Sequence, residues 1–248
     1  MKNPFFKTVL ILLFTFISQN ITAEEYLVVF AANLESTGSV CREDPSGADL
    51  YSVHFDLLTK SVSDLKRLTN YNDASEWFPS LSPDTKWVAY NYQKIIYNEV
   101  RLINRETGFE TVIFNGGRFP EWIGDSELLI SNKRIKDEKD VYKVELDLTG
   151  DEPIVKSSQR ITNRNNCPGT SLASDAYPFP DGQQFAFHIL RENGQSGAAM
   201  ATINLDGTNF QRITDWDGSG HGIVNSNGKE IICSTSAAPI PKLLRWKH

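Results

Sequence analysis

A short turn-and-strand phrase recurs along the chain and constrains its fold more than any other feature. Residues 82–90 read Ser-Pro-Asp-Thr-Lys-Trp-Val-Ala-Tyr, and related phrases occupy residues 180–187 and 227–233, with a weaker copy at 124–131. Proline presets φ for a tight turn, Asp or Asn bonds to its own backbone, and glycine tolerates positive φ. Each copy therefore predicts a turn that leads into an apolar strand.

The spacing of the copies predicts a repeat architecture. Between the turn residues Asp84, Asp125, Asp181 and Asn227, the steps are 41, 56 and 46 residues. These steps bracket the period of about 40–50 residues that is typical of β-propeller blades. The longest step implies an insertion, and residues 163–175 are predicted to form that long loop.

A second phrase precedes the first in each period. Arg-Leu-Thr at residues 67–69 returns as Arg-Ile-Thr at 160–162 and 212–214, and alternating strand patterns lie between the two phrases. No segment after residue 23 shows sustained helical periodicity. Each period thus carries four short strands, which we label a to d outward from the centre.

The pattern predicts an all-β chain folded as a β-propeller of four-stranded antiparallel blades. Five b-strands are visible, so about five blades are expected, and four or six also fit the pattern. The chain enters the repeat at a b-strand and leaves it near a c-strand at residues 242–246. One blade completed by both ends of the chain would remove exposed sheet edges.

The repeat resembles that of TolB-like β-propellers. Residues 79–90 look like the family phrase Pro-x-Trp-Ser-Pro-Asp-Gly-Lys-x-Ile-Ala-Phe, although Thr85 replaces its glycine. The resemblance covers the propeller half only, because too few residues precede Tyr51 for the separate amino-terminal domain of TolB. It implies a periplasmic protein that works by binding other envelope proteins.

The amino terminus resembles a cleavable export signal. Lys2 and Lys7 precede an apolar run at residues 8–17, and Ala23 offers a small residue for cleavage. We expect a signal peptide over residues 1–23, a propeller domain over 24–248, and a periplasmic or secreted location. An uncleaved membrane anchor is the alternative, since Ile21 is bulky for a cleavage site. No later apolar stretch is long enough to span a bilayer.

The net charge disfavours one class of partner, and the positions of the three cysteines predict their chemical state. The net charge of −6 disfavours binding to nucleic acid, whose phosphates it would repel. Cys41 and Cys167 both fall in polar loops, and a disulfide between them is expected, although sequence alone does not fix connectivity. Cys233 lies in an apolar strand pattern and is predicted to be a buried thiol.

The predicted topology opens the d–a loops and the b–c loops on one face, the loop face. Long loops on a rigid scaffold are common binding sites, and the starts of the a-strands would ring the channel mouth. Aligned a-strands place Phe78, Phe119, Asp175 and His221 at one position, with Glu76, Trp77 and Arg118 as neighbours. Such residues can bind a peptide or small ligand, or they can merely solvate the channel.

Catalytic signals are sparse. The sequence holds none of the common nucleophile, zinc-protease, phosphate-loop or dinucleotide motifs. His54, His188 and His221 fall on different strand positions, so neither a metal site nor a cofactor is predicted.

Two principal functions fit these patterns. The first is a non-catalytic scaffold that binds an envelope protein or peptide through the loop face. The alternative is a carbohydrate-active or glycan-binding propeller, similar to oligogalacturonate lyases, that uses the channel mouth for a small molecule or glycan. A truncated relic with a structural role is a third.

Overall fold

The computed structural model describes residues 25–33, 48–94, 97–133, 139–192, 197–216, 219–235 and 242–245. Within these ranges the regular structure is entirely β, and none of them contains a helix. No helix long and apolar enough to cross a membrane occurs in this part of the chain. The predicted signal peptide at residues 1–23 lies outside the described residues.

Eighteen strands form five antiparallel sheets in this part of the chain. The first sheet contains β1 (Glu25–Ala32), β2 (Asp49–Asp56) and β3 (Ser61–Arg67). The second contains β4 (Ser75–Leu81), β5 (Trp87–Gln93), β6 (Asn98–Asn104) and β7 (Glu110–Asn115). The third contains β8 (Gly117–Trp122), β9 (Glu127–Lys133), β10 (Lys139–Asp147) and β11 (Ile154–Arg160). The fourth contains β12 (Thr170–Pro178), β13 (Gln184–Arg191), β14 (Ala198–Asn204) and β15 (Gln211–Arg212), and the fifth contains β16 (Ser219–Val224), β17 (Glu230–Thr235) and β18 (Lys242–Arg245).

Each sheet is a meander in which neighbours in sequence pair with each other. The three middle sheets have four strands, in the order a to d, as the repeat predicted. The first sheet has strands b, c and d, because β3 ends at Arg67, where the first Arg-Leu-Thr phrase begins. The fifth sheet has strands a, b and c, so the described chain enters and leaves the repeat where the sequence indicated.

Successive sheets stack through their faces. Strand β8 packs on β4, β5 and β6, and β12 packs in the same way on β8, β9 and β10. The same relation joins β16 to β12, β13 and β14. This repeated face-to-face stacking is the radial arrangement of a propeller, so the predicted fold class is confirmed.

The core consists of apolar layers between the sheets. In the b-strand β5, Trp87 packs toward the third sheet, whereas the next residue, Val88, packs toward the first. In β13, Phe185 packs toward the third sheet and Ala186 toward the fifth. Because successive side chains of a strand point to opposite faces, a strand buried on both faces reads as a continuous apolar run.

The recurring turn phrase forms the same hydrogen bonds in three sheets. The side chains of Asp84, Asp181 and Asn227 accept a hydrogen bond from the backbone N–H two residues later, at 3.0, 2.9 and 2.9 Å. The residue after each of them has positive φ, and it is glycine in two copies and Thr85, with φ of 62°, in the third. The local chemistry read from the sequence therefore forms these turns.

The Arg-Leu-Thr phrase joins strand d to strand c. The hydroxyls of Thr69, Thr162 and Thr214 accept the backbone N–H of Leu50, Val141 and Met200 at 2.8, 2.9 and 3.0 Å. Each bond satisfies a donor at the start of a c-strand after the d-strand has ended. The threonine of the phrase thus fixes the end of the outermost strand, d, to the neighbouring c-strand of the same blade.

Replacement of Thr162 by valine should destabilise the protein by about 1–3 kcal/mol, because the buried N–H of Val141 loses its acceptor. Chemical denaturation monitored by tryptophan fluorescence would measure the change. Thr162→Ser keeps the hydroxyl and should recover most of the loss. A valine variant as stable as the native protein would contradict this role.

Candidate functional site

A β-bulge interrupts each of the four a-strands that the structure describes. The pairing register shifts between Trp77 and Ser80 in β4, and at the corresponding points in β8, β12 and β16. Phe78, Phe119 and Asp175 stand in these bulges with φ of 53°, 52° and 52°. The fourth bulge falls between Gly220 and Gly222.

The four residues that the sequence aligns therefore occupy equivalent places in the structure, and His221 lies in the fourth bulge. A non-glycine residue at positive φ costs on the order of 1–3 kcal/mol, and such strain is concentrated at functional sites. Bulges also redirect the side chains of the strand that carries them. The inner strands are therefore held in a shape that strand pairing alone would not produce.

Two of the bulges present an aromatic pair. The rings of Phe78 and Phe119 lie 4.4 Å apart, centroid to centroid, with an interplanar angle of 58°. Phe78 is 47% exposed, whereas the other large apolar residues described in the a-strands are buried or only partly exposed. Arg118, beside Phe119, donates a hydrogen bond from Nη2 to Oε1 of Gln93 at 2.9 Å. The neighbouring Trp77 is partly exposed, so this group offers apolar and cationic surface together.

Two predicted site residues are buried and are not available at the surface. Glu76 is 0% exposed, and its Oε2 accepts a hydrogen bond from the hydroxyl of Thr69 at 3.0 Å. Asp175 is 5% exposed, and its backbone N–H donates to the hydroxyl of Ser131 at 3.0 Å. Both therefore contribute to the packing between sheets, while the aromatic pair and Arg118 supply accessible surface.

Burial raises the pKa of Glu76 to about 8. The hydrogen bond from Thr69 opposes the shift, and the negative charges of Asp49 and Glu110 add to it. Oε1 of Glu76 has no hydrogen-bond partner, which is consistent with a carboxyl group that is protonated near neutral pH.

A second group of inner-strand residues was missed by the sequence analysis. Ser80 donates from its hydroxyl to Oε2 of Glu121 at 3.0 Å, and the indole of Trp122 donates to the carbonyl of Ser80 at 3.0 Å. Burial raises the pKa of Glu121 to about 7, although the bond from Ser80 opposes the shift. The pKa of Tyr177 is raised well above its usual range by burial first, and then by the negative charges of Asp175 and Glu121.

Ser80, Glu121 and Tyr177 stand at one repeat position, two residues after the bulge residue of each a-strand. Extending the repeat alignment by two residues would have identified them. A carboxyl group that titrates near neutral pH beside hydroxyl groups can exchange protons with a ligand.

The histidines do not converge. His54 lies on the c-strand β2, where Nδ1 is 3.2 Å from Oε1 of Glu25, whereas His188 lies on the b-strand β13. In the described ranges, no three residues of the types His, Cys, Asp and Glu are grouped so that they could hold a metal ion.

The predicted disulfide stays a prediction. Cys167 is 1% exposed, its Sγ lies 3.5 Å from Oδ1 of Asn166, and burial raises its pKa to about 11. Cys41 lies outside the described residues. The loop that holds Cys167 is shorter than expected, because β12 begins at Thr170 and not after Asp175. Cys233 is buried in β17, as its strand pattern predicted.

Glu76→Gln should flatten the pH dependence of stability. The folded protein retains the proton up to about pH 8, whereas an unfolded chain releases it near the ordinary value of 4.5. Native stability therefore falls as pH rises through this window, and the variant avoids the fall. We expect a gain on the order of 2 kcal/mol at pH 8 and little change below pH 4.5. Urea denaturation across pH 4–9 would measure it.

The exposed Glu106→Gln is the control for this prediction, since its side chain is 70% exposed and it should leave the pH dependence unchanged. Equal slopes of stability against pH for Glu76→Gln and the native protein would contradict the assignment.

Comparison with known proteins identifies the fold. No family profile matches the sequence, and no characterised protein matches it at a significant level. Among solved structures, TolB from Acinetobacter baumannii is similar, with 19% identity, a TM-score of 0.61, and coverage of 89% of this chain and 49% of TolB. A putative TolB from Agrobacterium tumefaciens has 15% identity and a TM-score of 0.57, covering 76% of this chain and 61% of its own.

The periplasmic gluconolactonase PpgL of Pseudomonas aeruginosa is also similar, with 12% identity, a TM-score of 0.52, and coverage of 89% and 67%. This chain thus spans about half to three fifths of the length of the TolB structures that it matches. At these identities the likeness shows the fold, and the resemblance to TolB-like propellers seen in the repeat is confirmed at that level.

Proposed function

We propose that this protein is an exported, non-catalytic β-propeller that binds an envelope protein or peptide through its loop face. The observation that carries the proposal is the aromatic pair of the exposed Phe78 and the partly exposed Phe119, held by bulges in two neighbouring inner strands. A large aromatic surface on a rigid scaffold is typical of the few residues that dominate protein interfaces.

The loops of both kinds meet on the face that the proposal uses. Nζ of Lys94, after the b-strand β5, lies 2.8 Å from Oδ2 of Asp73 in the preceding d–a loop. In the fourth sheet, the N–H of Glu192, after β13, donates to the carbonyl of Gly169 in the preceding d–a loop at 3.1 Å. These contacts support one continuous surface of d–a and b–c loops around the starts of the a-strands.

The strained backbone of the bulges favours a binding role. Residues at positive φ persist where the surrounding structure fixes them, so Phe78 and Phe119 are ordered before a partner arrives. Prior ordering lowers the entropy cost of association. A partner that covers Phe78 would also remove apolar surface from water, since 47% of this residue is exposed.

The location is part of the proposal. The charged start at Lys2 and Lys7 and the apolar run at residues 8–17 support export, with cleavage after Ala23 and a propeller domain over residues 24–248. TolB-like fold neighbours and a neighbour that is named periplasmic are consistent with the cell envelope. The net charge of −6 favours partners other than nucleic acid.

Capture from envelope extracts tests the scaffold. Immobilised protein should enrich a defined partner, and Phe78→Ala with Phe119→Ala should reduce its recovery at least tenfold, measured by quantitative mass spectrometry. Val62→Ala, on the outer strand β3, is the matched control because Val62 is 60% exposed and distant from the inner strands. Equal recovery with the double variant and the native protein would refute the use of this surface.

A second candidate function is supported by Glu121. Its pKa near 7 and its hydroxyl neighbour Ser80 would suit proton transfer to a sugar or sugar acid in the channel. This is the carbohydrate-active or glycan-binding alternative, and the gluconolactonase shares the fold.

Calorimetry and turnover assays with gluconolactone and with oligogalacturonides would test this alternative. Binding or turnover that Glu121→Gln removes, while the fold is retained by circular dichroism, would favour it over the scaffold. The absence of both for the native protein would eliminate it.

A further inference from the structure

Arg212 departs from the pattern that the other repeats follow. In the first sheet, the equivalent Arg67 forms an ion pair with Asp49 at the start of strand c. In the third sheet, Arg160 pairs in the same way with Asp140 at 2.6 Å. Both pairs link the end of strand d to the neighbouring c-strand and neutralise the guanidinium.

The fourth sheet has no acid at that position. The threonine hydrogen bonds align Met200 with Leu50 and Val141, so the residue before it, Ala199, stands where the other sheets have aspartate. Among the residues that the structure describes, Arg212 has no carboxylate within ion-pair distance, although its side chain is exposed.

Arg212 lies instead against an aromatic ring that it shares with a second arginine. The guanidinium carbon of Arg212 is 5.1 Å from the ring centroid of Trp216, and that of Arg191 is 5.7 Å away. Gly197 makes room for the indole, because a Cβ there would stand 3.1 Å from the Cβ of Trp216. The carbonyl of Gly197 also accepts the N–H of Arg191 at 3.2 Å, so this glycine contacts both Trp216 and Arg191.

These side chains border an open cavity of about 300 Å³. Phe210, Pro168 and Gly169 also border it, and Ile189 is buried behind them. Like Arg212, Arg191 has an exposed side chain and no carboxylate partner in the described part of the chain. The cavity therefore combines aromatic surface with two arginines that form no ion pair with any described residue, on a chain whose net charge is −6.

We propose that this cavity binds an organic carboxylate that carries a flat or aliphatic apolar group. A planar guanidinium matches a carboxylate with two parallel hydrogen bonds, and stacking on an indole holds the guanidinium in place. The apolar part of the ligand would lie against the partly exposed ring of Phe210. Two sources present this chemistry, namely the free carboxyl terminus of a polypeptide that ends in an apolar residue and a small free acid.

The inference goes beyond the proposed function. The cavity lies at the fourth sheet, whereas the aromatic pair lies on β4 and β8. Carboxylate binding in the cavity does not require that the aromatic pair binds a protein. Phe78→Ala should therefore leave carboxylate binding unchanged, which separates failure of one idea from failure of the other.

Isothermal titration calorimetry with matched probes tests the site and distinguishes the sources. The probes are N-acetylphenylalanine, a hexapeptide that ends in a free phenylalanine, and the amide of each. Both acids should bind, and each amide should bind at least tenfold more weakly. Similar affinities for the two acids would identify a small acid as sufficient, whereas a peptide at least tenfold tighter would identify a polypeptide terminus.

Substitutions of the two arginines test whether the acids bind in this cavity. Arg212→Gln and Arg191→Gln should each weaken the acids at least tenfold, and Arg212→Lys should lose part of the affinity because it keeps the charge without the planar fork. Arg67→Gln is the matched control, because Arg67 occupies the same repeat position as Arg212 but forms an ion pair with Asp49. Circular dichroism should first show that this variant is folded, and its affinity for the acids should then differ from the native value by less than twofold. No binding of either acid at millimolar concentration, equal binding of acids and amides, or full affinity in Arg212→Gln would overturn the proposal.

Discussion

Burial of every middle sheet on both faces is the constraint on which this structure depends. A four-stranded sheet with two apolar faces cannot bury them within itself, so its neighbours in the stack must cover them. Trp87 and Val88 show the consequence within two residues, since the first packs on the third sheet and the second on the first. The layers between sheets thus act as the core that a single central cluster supplies in other folds.

The recurring phrases place the strands so that these layers can form. The turn of Asp84, Asp181 and Asn227 joins strand a to strand b, and the threonine of the Arg-Leu-Thr phrase joins strand d to strand c. Both devices satisfy backbone groups where regular pairing ends. Both devices lie within one repeat, so each of these sheets carries the residues that form its own turns and strand ends.

Departures from the repeat mark the surfaces on which the proposed functions rest. Where strand c carries an acid near its start, as at Asp140, the acid neutralises the arginine of the phrase, Arg160, within the blade. Where the acid is absent, as at Arg212, the same residue type lies beside an open cavity. The bulges that strain Phe78 and Phe119 are a second departure, one from regular strand pairing. In natural proteins the local sequence generally agrees with the fold, and the exceptions are concentrated at functional sites.

The sequence by itself determined the elements whose causes are local. The turns, the b-strands buried on both faces, the start of the repeat at a b-strand and the alignment of Phe78, Phe119 and Asp175 all follow from residue types at fixed spacing, and the structure contains each of them. The loop before β12 is shorter than the sequence pattern predicts, because Ser174 and Asp175, polar residues typical of a loop, lie within β12 and its bulge.

Only the tertiary structure decided which side chains can meet a partner. Glu76 and Phe78 are two residues apart, yet Glu76 is buried and Phe78 is exposed, because Glu76 pairs regularly with β5 whereas Phe78 lies in the bulge that follows. The cavity of Arg191, Arg212 and Trp216 likewise joins residues from a b-strand, a d-strand and the loop after it. Such convergence depends on how whole sheets stack, and the spacing of residues along one chain does not encode it directly.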